Sequence, residues 1–244
     1  MEITYASINE IGKRPCQEDT VGSCIYGKEA LFAVADGLGG HMSGDLASRK
    51  MIEQVLAGFH EKCDPEVFFP EVFAEGNRQL CLLQDAHHTP NGMKTTLACA
   101  VIKEDTIYGA YAGDSRIYIF EKNKMVFRTL DHSVPQMLVN AGELDEKKIR
   151  RHPDRNRLLR VLGDRDRESS PQEIPPYYMR KSAAILLCTD GFWENILEKE
   201  MEKTLKTAKD PEEWLSRMKK IVKRRGKMKK QDNYSAVCIW VFLK

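Results

Sequence analysis

Three acidic residues stand where apolar runs stop or start. The run Ala30-Leu-Phe-Ala-Val-Ala ends at Asp36-Gly37 and opens into Leu-Gly-Gly-His41-Met-Ser-Gly44; a second run, Ala183-Ala-Ile-Leu-Leu-Cys-Thr, ends at Asp190-Gly191; Asp232-Asn233 directly precedes the run Tyr234–Leu243. Apolar runs of this length bounded by turn residues read as buried strands, which puts each carboxylate at a strand end facing a cleft. Asp-Gly after a strand is also a common hairpin turn, so either dipeptide taken alone has a second reading. Three acids gathered from distant parts of one chain repel each other and are costly to desolvate, and a cation that neutralises them lets the cluster persist. Oxygen-only ligands point to Mg2+ or Mn2+ rather than zinc.

Other polar residues fall at the same kind of position. Lys13-Arg14-Pro-Cys-Gln-Glu18-Asp19 connects two expected strands, 3–12 and 20–26. It reads as a solvated loop, or as an anion clamp beside further metal ligands, since arginine binds phosphate through a planar fork. Gly113-Asp114-Ser115-Arg116 lies between expected strands 106–112 and 115–120, as a hairpin turn or as another strand-end carboxylate.

The elements that must position these groups show clear periodicity. Ile52, Val55, Leu56 and Phe59 fall at helical spacing, and a second helix is marked by Phe69, Val72, Phe73, Gly76, Leu80 and Leu83. A strand is expected over 95–102. Asp210-Pro211-Glu212-Glu213 starts a helix with Asp as N-cap and Pro at its first position, and Trp214, Leu215, Met218, Ile221 and Val222 give that helix its apolar face. The region from Asp131 to Gly163 differs, with few β-branched runs, a short helix signal over 134–140, and Arg150, Arg151, Arg155, Arg157 and Arg160. It reads as an excursion from the sheet, a flap near the cleft, whose arginines are either solvated or attract an anionic substrate.

Composition bounds the function. The 244 residues are 42% hydrophobic, enough for a substantial core, and the net charge of +2 argues against general nucleic-acid binding. The apolar runs are too short to cross a bilayer and the first residues lack a signal-peptide pattern, so a cytoplasmic location is expected. Seven cysteines with no C-x-x-C pair read as reduced thiols, and none is followed six residues on by arginine, which removes a cysteine-nucleophile phosphatase loop.

Taken in order, Arg14-x-x-Gln17-Glu18-Asp19, Asp36-Gly-Leu-Gly-Gly-His41-x-x-Gly44, Gly92-Met-Lys-Thr95-Thr96, Ala112-Gly-Asp114-Ser-Arg116, Asp131-His-Ser133, Ala141-Gly-Glu143, His152-Pro-x-x-Asn156, Arg160-Val-Leu-Gly163, Leu187-Cys-Thr-Asp190-Gly191 and Asp232-Asn233 span nearly the whole chain. This order resembles the metal-dependent serine/threonine protein phosphatases of the protein phosphatase 2C class, in their compact bacterial form. The resemblance implies an α+β fold, a four-layer αββα sandwich of two antiparallel sheets flanked by helices. It also implies a single catalytic domain over 1–244, with the flap at about 131–163.

The same resemblance implies two core Mn2+ or Mg2+ ions held by Asp36, Asp190 and Asp232. The Gly37 carbonyl and Asp19 contribute directly or through water, Glu18 acts close by, and Asp114 with Asp190 forms a weaker third site. Arg14 would bind substrate phosphate. The implied reaction is hydrolysis of phosphoserine and phosphothreonine in proteins by a metal-bridged hydroxide, without a phosphoenzyme. Phosphoproteins made by an opposing serine/threonine kinase are the implied partners. The alternatives are a phosphatase of a small phosphorylated metabolite and a catalytically weak phosphoprotein-binding module. The sequence departs from the family in having Gln17 where Asn is usual, Leu38 where some members carry histidine, and Met179–Ser182 in place of a Gly-Asp turn.

Overall fold

The structure is a computed structural model that describes residues 1–39, 43–89, 92–165, 170–227 and 231–243. Two antiparallel sheets pack face to face. One runs in the order β1 (Glu2–Glu10), β12 (Tyr234–Phe242), β11 (Ser182–Cys188), β7 (Arg116–Glu121) and β8 (Lys124–Arg128). The other runs β10 (Tyr177–Tyr178), β6 (Thr106–Ala112), β5 (Leu97–Lys103), β3 (Glu29–Leu38) and β2 (Asp19–Tyr26), with β4 (Lys94–Thr95) paired to β3 and β9 (Gln172–Glu173) paired to β6.

The unbroken apolar runs have a simple cause, which is that the central strands are buried on both faces. In β3, Ala30, Phe32 and Val34 enter the core between the sheets. Their neighbours Leu31, Ala33 and Ala35 pack with residues of α1 (Ser43–Gly58) and α2 (Pro65–Ala86). In β11, Ala183, Ile185 and Leu187 face the same inter-sheet core, while Ala184, Leu186 and Cys188 join Phe192 and Trp193 of α4 (Asp190–Trp193), Met201 and Leu205 of α5 (Glu198–Thr207) and Trp214, Leu215, Met218 and Val222 of α6 (Pro211–Gly226). Three apolar layers therefore lie between four layers of secondary structure, the αββα sandwich expected. At the start of α6, the Asp210 carboxylate accepts the Glu213 backbone N–H at 2.7 Å, the cap that the Asp-Pro signal implies.

Antiparallel registers bring the acid-bearing ends to one edge. Asp19 at the start of β2 stands opposite Asp36 near the end of β3. Cys188 at the end of β11 pairs with Ala236 of β12 and with Arg116 of β7, which sets Asp190, Asp232 and Asp114 at that same edge.

At two of these positions the structure excludes the hairpin-turn alternative and leaves the strand-end acid. Asp36-Gly37 is no hairpin turn, because β3 continues to Leu38 and Gly37 pairs with Thr95 of β4. Gly113-Asp114 is no hairpin turn either. The strands on its two sides belong to different sheets, so the turn carries the chain across the sandwich, with Gly113 at φ +107°. The segment 131–163 does leave the sheets. It contains α3 (Val134–Asn140) and a 3-10 helix (Glu146–Arg151), and bridges Ser133–Leu158 and Thr95–Leu162 tie it down. No helix among the described residues is long and apolar enough to cross a membrane.

Candidate active site

The floor of the site is built by backbone clasps that leave carboxylates facing outward. The Asp36 N–H donates to Thr96 Oγ1 at 3.0 Å, and its carbonyl accepts from the Thr95 hydroxyl at 2.9 Å and from the Thr96 N–H at 2.9 Å. Thr96 Oγ1 also lies 2.7 Å from Ser115 Oγ, which links β3 to the turn that carries Asp114. The Asp114 carbonyl in turn accepts the Trp193 indole N–H at 2.9 Å. Between the sheets, the Thr189 hydroxyl donates to Asp19 Oδ2 at 2.8 Å.

Asn233 fastens the Arg14 loop. Its Oδ1 accepts the Glu18 N–H at 2.8 Å, and its Nδ2 donates to the carbonyls of Ile11 at 2.8 Å and Cys16 at 3.0 Å. Gly37 is stacked between two backbones, since a Cβ there would stand 2.1 Å from the Gly44 carbonyl oxygen and 2.6 Å from that of Glu18. Its N–H donates to the Glu18 carbonyl at 3.0 Å. Only glycine fits.

The electrostatics place the acids together. Burial pushes the Asp36 carboxyl well up, and the charges of Asp19, Asp190, Asp114 and Asp232 push it further. Asp190 is likewise pushed well up by burial and by Asp114, Glu194, Asp232 and Asp19. Burial raises Asp19 to about 7, against hydrogen bonds from Ser235 and Thr189 that favour its charged form. Burial raises Asp114 to about 8, with Asp131 adding to the effect and Arg116 opposing it. Glu18 is also raised, first by burial.

These residues suit a divalent cation. Asp19 Oδ1 and Asp190 Oδ1 are buried with no hydrogen-bond partner among the described residues, and the donors are all oxygen. Yet no three His, Cys, Asp or Glu among the described residues close into a ready metal cage. Asp232 is engaged within the protein: Arg14 Nη2 holds its Oδ2 at 2.5 Å, and its other oxygen accepts the Asn233 N–H at 2.9 Å. The hydrogen bond to Asp232 is also the largest cause that raises the Arg14 pKa.

A cleft of about 820 Å³ opens above Asp190 and Asp232. Arg14, Lys13, Arg150, Arg151 and Arg155 line it. Two of the five flap arginines lie elsewhere, Arg157 near Asp154 at 3.5 Å and Arg160 on the Ser170 carbonyl at 3.5 Å. Arg150 reaches Glu198 at the start of α5 at 2.6 Å and Arg155 reaches Glu194 at 2.8 Å, which fastens the flap to the segment after Asp190.

The model of the family described as protein phosphatase 2C matches residues 9–232. The chain belongs to this family. It is 32% identical over 186 residues to the serine/threonine phosphatase stp of Listeria innocua, covering 74% of this chain and 73% of that one. The fold superposes on the serine/threonine phosphatase PstP/Ppp of Mycobacterium tuberculosis with a TM-score of 0.86 at 25% identity, over 99% of both chains. It also superposes on the catalytic domain of PstP solved with two manganese ions, with a TM-score of 0.82 at 24% identity over 97% of both chains.

Within this protein phosphatase 2C fold, the structure brings Asp19, Asp36, Asp114, Asp190 and Asp232 to one floor, with Arg14 and Glu18 at its rim. Gly40, His41 and Met42 of the glycine motif lie outside the described residues. Gln17, the departure from the usual Asn, spends its longer reach on Asn9 Oδ1 and accepts the Asp19 N–H at 3.2 Å. Sequence reasoning assigned no role to Thr96, Thr189 or Asn233, each of which holds the backbone or carboxylate of a site acid. For Thr189 and Asn233 the available signal was adjacency to Asp190 and Asp232; Thr96 has no acid beside it in the sequence, and its contact with Asp36 depends on the pairing of distant strands.

Proposed function

We propose that this metal-dependent serine/threonine phosphatase hydrolyses phosphoserine and phosphothreonine in proteins at the cleft above Asp190 and Asp232. The observation that carries this reading is the convergence of five acids from both sheets, two with orphaned buried oxygens, beside an arginine at the cleft wall. Asp36, Asp190 and Asp232 would hold two Mn2+ or Mg2+ ions, the Gly37 carbonyl and Asp19 would assist directly or through water, and Asp114 with Asp190 would hold a looser third. Two divalent cations in such a place supply Lewis acidity and an acidified water for in-line attack on phosphorus.

The chain's own residues do the rest. Arg14 carries the fork that matches a phosphoryl group, and its hold on Asp232 is the bond that an entering phosphate competes for. Glu18, near Arg14 and accepting the Gly44 N–H, keeps that loop in place. Buried Cys99, Cys188 and Cys238 have thiols pushed up by burial and offer no ready thiolate, which argues against these three as phosphate acceptors. We take 1–244 as one catalytic domain whose flap, at about 131–163, guides protein substrates. An opposing serine/threonine kinase and a cytoplasmic setting complete the proposal.

The test is hydrolysis of a phosphoserine peptide and of p-nitrophenyl phosphate. Activity should vanish with chelator and return with Mn2+ or Mg2+. Isolation of a covalent phosphoenzyme during turnover would overturn the mechanism.

A further inference from the structure

The catalytic cleft does not end at the flap. A second hollow of about 760 Å³ shares Arg150, Arg151, Glu194 and Asn195 with it, so the two form one trough from the acid floor out past the 3-10 helix. The outer part is lined by Lys147, Lys148 and Arg151. These three are exposed, and among the described residues none of their own side chains has an ion pair or a hydrogen bond; the Lys147 backbone N–H donates to Asp145 Oδ1 at 2.9 Å. Other cations of the trough are already matched, Arg150 with Glu198, Arg155 with Glu194, and Arg225 with Glu200 at 2.6 Å. Glu146, on the same 3-10 helix, is drawn away to Arg128. The uncompensated positive charge of the trough is therefore concentrated at Lys147, Lys148 and Arg151.

We propose that this outer trough binds acidic or additionally phosphorylated residues flanking the scissile phosphoresidue, so that the enzyme selects acidic and multiply phosphorylated segments. This deepens the phosphoprotein reading above and rests on it. Anionic side chains are the complement of three unpaired cations, and the trough is open to an extended chain. A chain extended along the trough advances at most about 3.3–3.6 Å per residue, so charges about three residues from the scissile position are the first placed to reach the outer part.

The experiment compares two phosphoserine peptides with the Mn2+-loaded full chain. One carries aspartate or a second phosphoserine three residues away on both sides, and the other carries glutamine there. Wild type should show a kcat/KM about tenfold higher for the acidic peptide, the order expected of two or three exposed ion pairs. The ratio should shrink as salt is raised. In Lys147→Ala/Lys148→Ala/Arg151→Ala it should fall to within about twofold. Hydrolysis of the neutral peptide is the internal reference, and its failure in wild type would strike the phosphatase reading itself. If the neutral peptide is turned over but the wild-type ratio is near one, or survives the triple substitution, the inference alone fails. Competition by a short single-stranded oligonucleotide equal to that of the acidic peptide would assign the trough to nucleic acid and also overturn it.

Discussion

Replacing Arg116 with methionine is expected to cost about 3–5 kcal/mol of stability, because it strands a buried carboxylate. Arg116 Nε and Nη2 donate to the two oxygens of Asp131, each at 2.7 Å, and both side chains are only 1% exposed. Nη1 donates to the Tyr118 hydroxyl at 3.0 Å, and the guanidinium carbon lies 3.4 Å from the centre of the Trp193 ring. Methionine keeps much of the volume but returns none of these contacts, and Asp131 would then face the core as an unpaired anion.

For a chain of this size the loss corresponds to a fall in melting temperature of about 6–20 °C. Arg116→Met/Asp131→Leu, which removes both charges, should recover more than half of it, since exchanging a buried ion pair for apolar side chains is often close to neutral. The assay is thermal unfolding in chelator, so that metal binding does not mask the effect. A single variant that melts within 2 °C of wild type, or a double variant no more stable than the single, would refute the reasoning.

Other outcomes follow from the site. Arg14→Ala should raise KM and lower kcat with Mn2+ affinity near wild type, and Arg14→Lys should recover only part, having charge without the fork; unchanged kinetics would return Arg14 to a solvated-loop role. Burial holds Asp19 at about 7 and Asp114 at about 8, so the folded state keeps protons that the unfolded chain has released, and the stability these groups contribute is complete below about pH 4 and lost as pH rises through 7 to 8. In chelator the melting temperature should therefore fall between about pH 5 and 8, and Mn2+ should raise it more at pH 8; a metal-free rise across that window would contradict this. Shortening the connection 141–145, between α3 and the 3-10 helix, should spare p-nitrophenyl phosphate more than a phosphoprotein; equal losses would make the flap a part of the fold's support.

What could be read from the sequence was whatever depends on one residue and its near neighbours. The two-sided burial of β3 and β11 is written as unbroken apolar runs, and the α6 start as Asp-Pro. The strand-end acids stood out because an acid that closes such a run has to face something. What escaped depends on partners far along the chain. Gly113-Asp114 has the local signature of a hairpin whether the next strand returns to the same sheet or crosses to the other, and only the pairing of β7 with β11 decides. β8 is an edge strand, exposed or half-buried along its length, and carries no apolar run to announce it. The bond from Arg14 to Asp232 spans 218 residues, and no spacing rule reaches that far. The 3-10 helix escaped for a different reason, since its cations look like any solvated turn until the neighbouring hollow is known.

The central claim is that Asp36, Asp190 and Asp232 form one tight two-cation floor while Asp114 belongs to a looser third site. Calorimetric titration with Mn2+ of wild type, Asp36→Ala and Asp114→Ala tests it most directly. Wild type should bind two ions tightly, Asp36→Ala should lose them, and Asp114→Ala should keep both while losing a weaker third and much of its turnover. Tight binding that survives in Asp36→Ala but disappears in Asp114→Ala would contradict the account.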